Sequence, residues 1–169
     1  TNLYSGRKIN FLTASFGQGI AVTPLQLINA YSALANGGKL MRPYVVDKII
    51  KNGDEEIVTQ PEIVSIPISD KTAIKIQAML TSVVDNGFDK ARISGYDIAG
   101  KTGTAQVPDG TGGYSKDLFL HNFVGFAPAY DARFVILVKM DKPKGIQFAA
   151  DSLSPTFKEI TQFLLNYYG

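Results

Sequence analysis

Apolar residues along this chain recur at two periods, and the switch between them comes near residue 96. Ahead of it, Leu27, Ala30, Tyr31 and Leu34 fall three or four apart, the spacing that lines one face of a helix. Thr23-Pro24 supplies a start, since the hydroxyl caps the first amides and proline has no N–H to leave unpaired there. Asn36-Gly37-Gly38 supplies the stop, so a helix is predicted at about 24–36. A second helix follows Ser69, with Ala73, Ile76, Leu80, Val83 and Val84 as its buried face and Asn86-Gly87 as its end. Between them, apolar stretches at 44–50 and 56–58 flank Asn52-Gly53, which predicts a hairpin. Residues 1–10 are polar, lack apolar periodicity and read as a loop.

From Tyr96 onward the pattern is that of strands, predicted at 98–107, 122–126 and 133–140. Pro108 to Gly113 form a long turn or flap between the first two. In the third, Phe134, Ile136 and Val138 alternate with Val135 and Leu137, so both faces are apolar. Such a strand is expected centrally, in a sheet covered on both sides. The short Ala129–Ala132 connection makes the second and third strands antiparallel neighbours. Ser154-Pro155 opens a last helix with Phe157, Ile160, Phe163 or Leu164, and Tyr167 as its stripe. The order helix, hairpin, helix, three strands, helix describes an α+β chain without internal repeats.

Composition narrows the chemistry. The chain has 169 residues, 45% of them hydrophobic and 19% charged, enough for a buried core. Seventeen basic against fifteen acidic residues give a net charge of +2, with no clustered basic stripe for nucleic acid. With no cysteine, thiol catalysis, disulfides and thiolate zinc sites are excluded. His121 is the only histidine; no carboxylate lies beside it in sequence, and a structural or exposed role is expected. Asp141 and Asp151 read as turn or surface carboxylates.

One segment, Gly95 to Thr104, concentrates the candidate chemistry and admits two incompatible readings. Gly95, four residues and Gly100-Lys101-Thr102 satisfy the letters of a phosphate loop, with Asp141 as a candidate magnesium holder. That reading requires a helix beginning at the lysine, because helix N-terminal amides cradle the phosphates. Gly103, Thr104, Val107, Pro108 and the glycine-rich stretch beyond do not build one. The second reading places Lys101-Thr102-Gly103-Thr104 on a strand. There one ammonium and two hydroxyls along an edge can hold a carboxylate, and a glycine lets a substrate backbone approach. The Thr104 amide can then contribute to an oxyanion hole, and Thr102 and Thr104 share a face.

The Lys-Thr-Gly element has company. Ser15-Phe16-Gly17-Gln18-Gly19-Ile20, Thr23-Pro24-Leu25-Gln26-Leu27, Ala35-Asn36-Gly37-Gly38, Gly100 to Gln106 and Phe123-Val124-Gly125-Phe126-Ala127-Pro128 occur in this order. Together they resemble the class B penicillin-binding proteins, peptidoglycan D,D-transpeptidases, and most closely their septal branch. The resemblance implies a sheet of five antiparallel strands, of which this chain supplies the last three. It implies a serine acyl-enzyme mechanism outside the cytoplasmic membrane, without metal or organic cofactor. The ligands would be a peptidoglycan stem peptide and β-lactams; the partners would be the remainder of the transpeptidase domain and membrane proteins of division or elongation. Lys101, Thr102, Gly103 and Thr104 would bind substrate, with Lys101 and the Thr104 amide also serving catalysis.

The family attacks through Ser-x-x-Lys, assisted by Ser-x-Asn. This chain has one Ser-x-x-Lys, Ser5-Gly6-Arg7-Lys8, and no Ser-x-Asn. Ser5 lies in a polar run, where nothing would desolvate Lys8 into a base, and it reads as a surface residue. The nucleophile is therefore expected outside these 169 residues, and the chain alone is expected to be inactive. The edge of the 133–140 strand is expected to be left unpaired. A non-catalytic scaffold for division proteins would keep the same half of the domain. Phe88-Asp89-Lys90 stands where the family has a glycine-rich element.

Overall fold

The computed structural model describes residues 2–53 and 55–168. Among the described residues four α-helices form, α1 (Lys8–Ala14), α2 (Pro24–Ala35), α3 (Asp70–Gly87) and α4 (Ala149–Tyr168), with short 3-10 turns at Asn2–Ser5 and Asp89–Ala91. Seven strands accompany them: β1 (Leu40–Met41), β2 (Lys48–Ile50), β3 (Glu56–Val58), β4 (Ile63–Ser65), β5 (Ala99–Pro108), β6 (Tyr114–Ala127) and β7 (Phe134–Asp141). The strands pair as β1–β4, β2–β3 and an antiparallel sheet β5–β6–β7. The predicted α+β architecture, the two helix starts and the 52–53 hairpin are all present.

Local chemistry accounts for the helix ends. Thr23 accepts the Gln26 amide while the Gln26 side chain reaches back to the Thr23 amide, a reciprocal capping box with proline next in line. Ser69 accepts the Thr72 amide in the same way at the head of α3. After α2 the chain turns through Gly38 at φ +89°, where a Cβ would lie 2.2 Å from the Ile68 carbonyl oxygen.

The three-stranded sheet organises the core, and strand alternation divides it into two faces. On one face α4 covers the strands, bringing Leu153, Phe157 and Leu165 against Phe123, Ala127 and Ile136. Phe123 and Phe157 stack with centroids 4.3 Å apart. On the other face, α2 and α3 bring Tyr31, Leu34, Ile76 and Leu80 against Ala99, Phe126 and Val135.

Several expectations are corrected. Residues 8–10, expected as part of a loop over 1–10, open the helix α1; it buries no residue and has no side-chain cap, so no periodicity announced it. β6 begins at Tyr114, not 122, because its first half runs out along the β5 hairpin arm beyond the helices and stays largely exposed. β7 is covered on both faces but lies at the sheet's edge; β6 is the central strand, and the outer edge of β7 is unpaired among the described residues. α4 begins at Ala149, with Pro155 inside it at the cost of one intrahelical bond. Its buried stripe is Leu153, Phe157, Thr161 and Leu165, whereas Phe163 and Tyr167 face solvent. The short pair β1–β4 adds two strands the pattern did not mark.

Candidate active site

Lys101, Thr102, Gly103 and Thr104 all lie within β5, at one edge of the sheet. They stand opposite Val124, Phe123, Asn122 and His121 of β6. Alternation therefore sends Thr102 and Thr104 to the α4 face, as expected for a shared face, and Lys101 and Gly103 to the opposite one. No strand covers the outer edge of β5 among the described residues, so its outward backbone groups are open to a ligand.

Each side chain has a local support. The exposed Lys101 ammonium donates to the Thr102 carbonyl oxygen at 3.1 Å. It also lies 5.6 Å from the centroid of Phe88, within reach of a cation–π attraction. Phe88 follows the last turn of α3 and packs edge-on against Phe123, with centroids 6.1 Å apart, which fixes the ring beneath the cation. A Cβ at Gly103 would meet the Asn122 amide at 2.6 to 2.9 Å, so within this chain the glycine makes room for Asn122. The Thr104 hydroxyl accepts the Ala149 amide at 3.0 Å, which ties the strand to the start of α4. An ammonium, two hydroxyls and an open strand edge together suit a peptide that carries a carboxylate.

The competing readings separate on this geometry. A phosphate loop needs a helix at Lys101, but Lys101 and Thr102 sit inside a ten-residue strand, preceded by a tight turn at Ile93–Tyr96. Ser5 is exposed and accepts from the Asn10 side chain at 2.6 Å and the Arg7 amide at 3.3 Å. The 3-10 turn that holds it and α1 contact each other and no element of the sheet, so Ser5 and Lys8 are not brought to Lys101. A polar cleft of about 860 Å³ includes Asp85, Arg92, Asp97 and Lys158 but none of the four β5 residues.

A family model for the penicillin-binding protein transpeptidase domain matches residues 2–162. The chain belongs to the penicillin-binding protein transpeptidase family. Stage V sporulation protein D of Bacillus subtilis is 40% identical over 162 residues, covering 93% of this chain and 25% of that protein. A probable peptidoglycan D,D-transpeptidase, PbpC of Pseudomonas aeruginosa, is 37% identical over 156 residues, covering 89% and 26%. Penicillin-binding protein 3 of Mycobacterium tuberculosis, solved in complex with aztreonam, superposes with a TM-score of 0.83 at 31% identity. That match covers 94% of this chain and 38% of the solved one. The chain thus spans about a quarter of the length of these curated relatives.

Within this transpeptidase-family chain, three contributors escaped the sequence. Phe88 and Asn122 reach the Lys101–Thr104 strand only through tertiary pairing. Ala149 does so because α4 begins five residues before the Ser-Pro signal. His121, expected to be structural or exposed, lies in mid-strand and is fully buried.

Proposed function

We propose that the protein containing this chain is a peptidoglycan D,D-transpeptidase that crosslinks cell-wall stem peptides through a serine acyl-enzyme and is acylated by β-lactams. The observation that carries this is the Lys-Thr-Gly-Thr segment on an open sheet edge, inside a domain of the transpeptidase family. Lys101 steers and holds the terminal carboxylate, Thr102 and Thr104 hydrogen-bond it, and Gly103 keeps the strand low. The amide of Thr104 polarises the scissile carbonyl. The nucleophilic serine comes from a part of the domain outside residues 1–169, since Ser5 is not gathered to the site. The domain works on the outer face of the cytoplasmic membrane beside division or elongation proteins. Among the described residues no helix is long and apolar enough to cross a membrane.

Intact-mass analysis after incubation with a fluorescent penicillin tests this. The full-length protein is expected to gain one adduct on a serine outside this chain, and the 169-residue chain none. Lys101→Ala removes a charged hydrogen bond of about 1.5–3 kcal/mol and should slow acylation roughly 10- to 150-fold. An unlabelled full-length protein would refute the function. A stoichiometric adduct on Ser5 would make Ser5 the nucleophile.

A further inference from the structure

His121 stands directly across the β5–β6 pairing from Thr104, and its side chain is entirely buried. Its Nε2 lies 3.0 Å from the Gln147 carbonyl oxygen and its Nδ1 2.8 Å from the Ser152 hydroxyl. A carbonyl only accepts, so Nε2 carries a proton, while Nδ1 meets a hydroxyl able to donate to its lone pair. The imidazole therefore grips both ends of the segment 147–152, which opens α4. Between those ends lies Ala149, whose amide donates to the Thr104 hydroxyl at 3.0 Å.

This arrangement decides how Thr104 can act. A hydroxyl has one O–H and two lone pairs. Ala149 occupies a lone pair, so the hydroxyl is oriented as an acceptor from the protein and keeps its O–H to donate outward. The same amide is the first of a 20-residue helix, whose N-terminal end favours negative charge nearby. With an apolar residue at 121, the Gln147 carbonyl would lose its imidazole donor and the Ser152 hydroxyl would keep only its 3.5 Å bond to the Ala149 carbonyl, leaving the helix start free to shift off the strand.

We infer that His121 is a positioning residue: by clamping the start of α4 to the sheet, it fixes the Thr104 hydroxyl to receive a substrate carboxylate. The inference rests on the reading of β5 as the carboxylate-binding strand. It is tested in the full-length protein by the acylation rate constants for a penicillin and for its neutral methyl ester. His121→Leu should slow the carboxylate form about tenfold, the worth of one hydrogen bond to a charged group, and change the ester less than about twofold. His121→Gln, whose amide N–H can still reach Gln147, should recover most of that selectivity. Thr104→Val should lose the same selectivity, and adding His121→Leu to it should lose no more. Should His121→Leu fail to fold, Ser152→Ala removes the Nδ1 partner together with that hydroxyl's long 3.5 Å bond to the Ala149 carbonyl, and should lower the ratio of carboxylate to ester rates by about two- to threefold. An unchanged ratio in the folded variants, equal slowing of both compounds, or full additivity with Thr104→Val would overturn the inference. A wild-type protein that neither compound acylates would instead refute the transpeptidase reading beneath it.

Discussion

Gly125 should be the least replaceable glycine of the sheet. It pairs with Gly100 across β5–β6, where the strands, α4 and the core meet. A Cβ built there would lie 2.4 Å from the Ala99 carbonyl oxygen, 2.7 Å from Phe157 Cζ and 3.1 Å from the Gly100 Cα. Carbon and oxygen settle at about 3.3–3.6 Å, so the backbones must part by roughly 0.9 Å. Neighbouring inter-strand bonds of about 2.9 Å then stretch past about 3.5 Å and cease to count. Two lost bonds at about 1 kcal/mol each, with overpacking at about 1–3 kcal/mol, give roughly 3–5 kcal/mol for Gly125→Ala. For a chain of this size that is a fall in melting midpoint of about 6–20 °C. Gly103→Ala is the contrast: the atoms nearest its methyl belong to the Asn122 side chain, which can rotate away, and the change should cost under about 1 kcal/mol. Thermal unfolding followed by far-UV circular dichroism, with urea titration alongside, measures both. A Gly125→Ala midpoint within about 3 °C of wild type, or a Gly103→Ala cost as large, would refute this account of the sheet.

Two further outcomes follow from single contacts. Thr23→Ala removes the side-chain acceptor of the Gln26 amide and should cost about 1 kcal/mol, seen as faster hydrogen exchange at Gln26. The Asp109 carboxylate accepts from the Thr111 amide, the Thr111 hydroxyl and the Gly113 amide, which hold its pKa below the usual carboxylate range. With the folded value the lower one, the order it lends the 109–113 loop is full above the unfolded value near pH ~4. That order is lost as the pH falls through the folded value. Amide NMR should show Gly113 unchanged from about pH 7 to 5 and shifting below about pH 4, a transition that Asp109→Asn abolishes.

Much of this protein is settled by short-range chemistry and is therefore readable in order along the chain. Thr23-Pro24 and Ser69 begin their helices because a cap needs only residues three apart. Asn52-Gly53 joins its hairpin because the turn is closed by its own neighbours. The Lys101–Thr104 strand could be told from a phosphate loop because glycine and proline after Thr102 forbid the helix that the loop demands. Where tertiary packing competes with local preference, the pattern misleads. Pro155 signals a helix start, yet the His121 and Thr104 anchors and the burial of Ala149, Leu153 and Ser154 carry α4 back to Ala149. The exposed first half of β6 is a strand because β5 pairs with it rather than because it buries a face. Register alone put His121 opposite Thr104 and Asn122 over Gly103. Those pairings join residues about 17 to 19 positions apart, and strand alternation has no memory over that distance; only the paired sheet fixes which side chains meet.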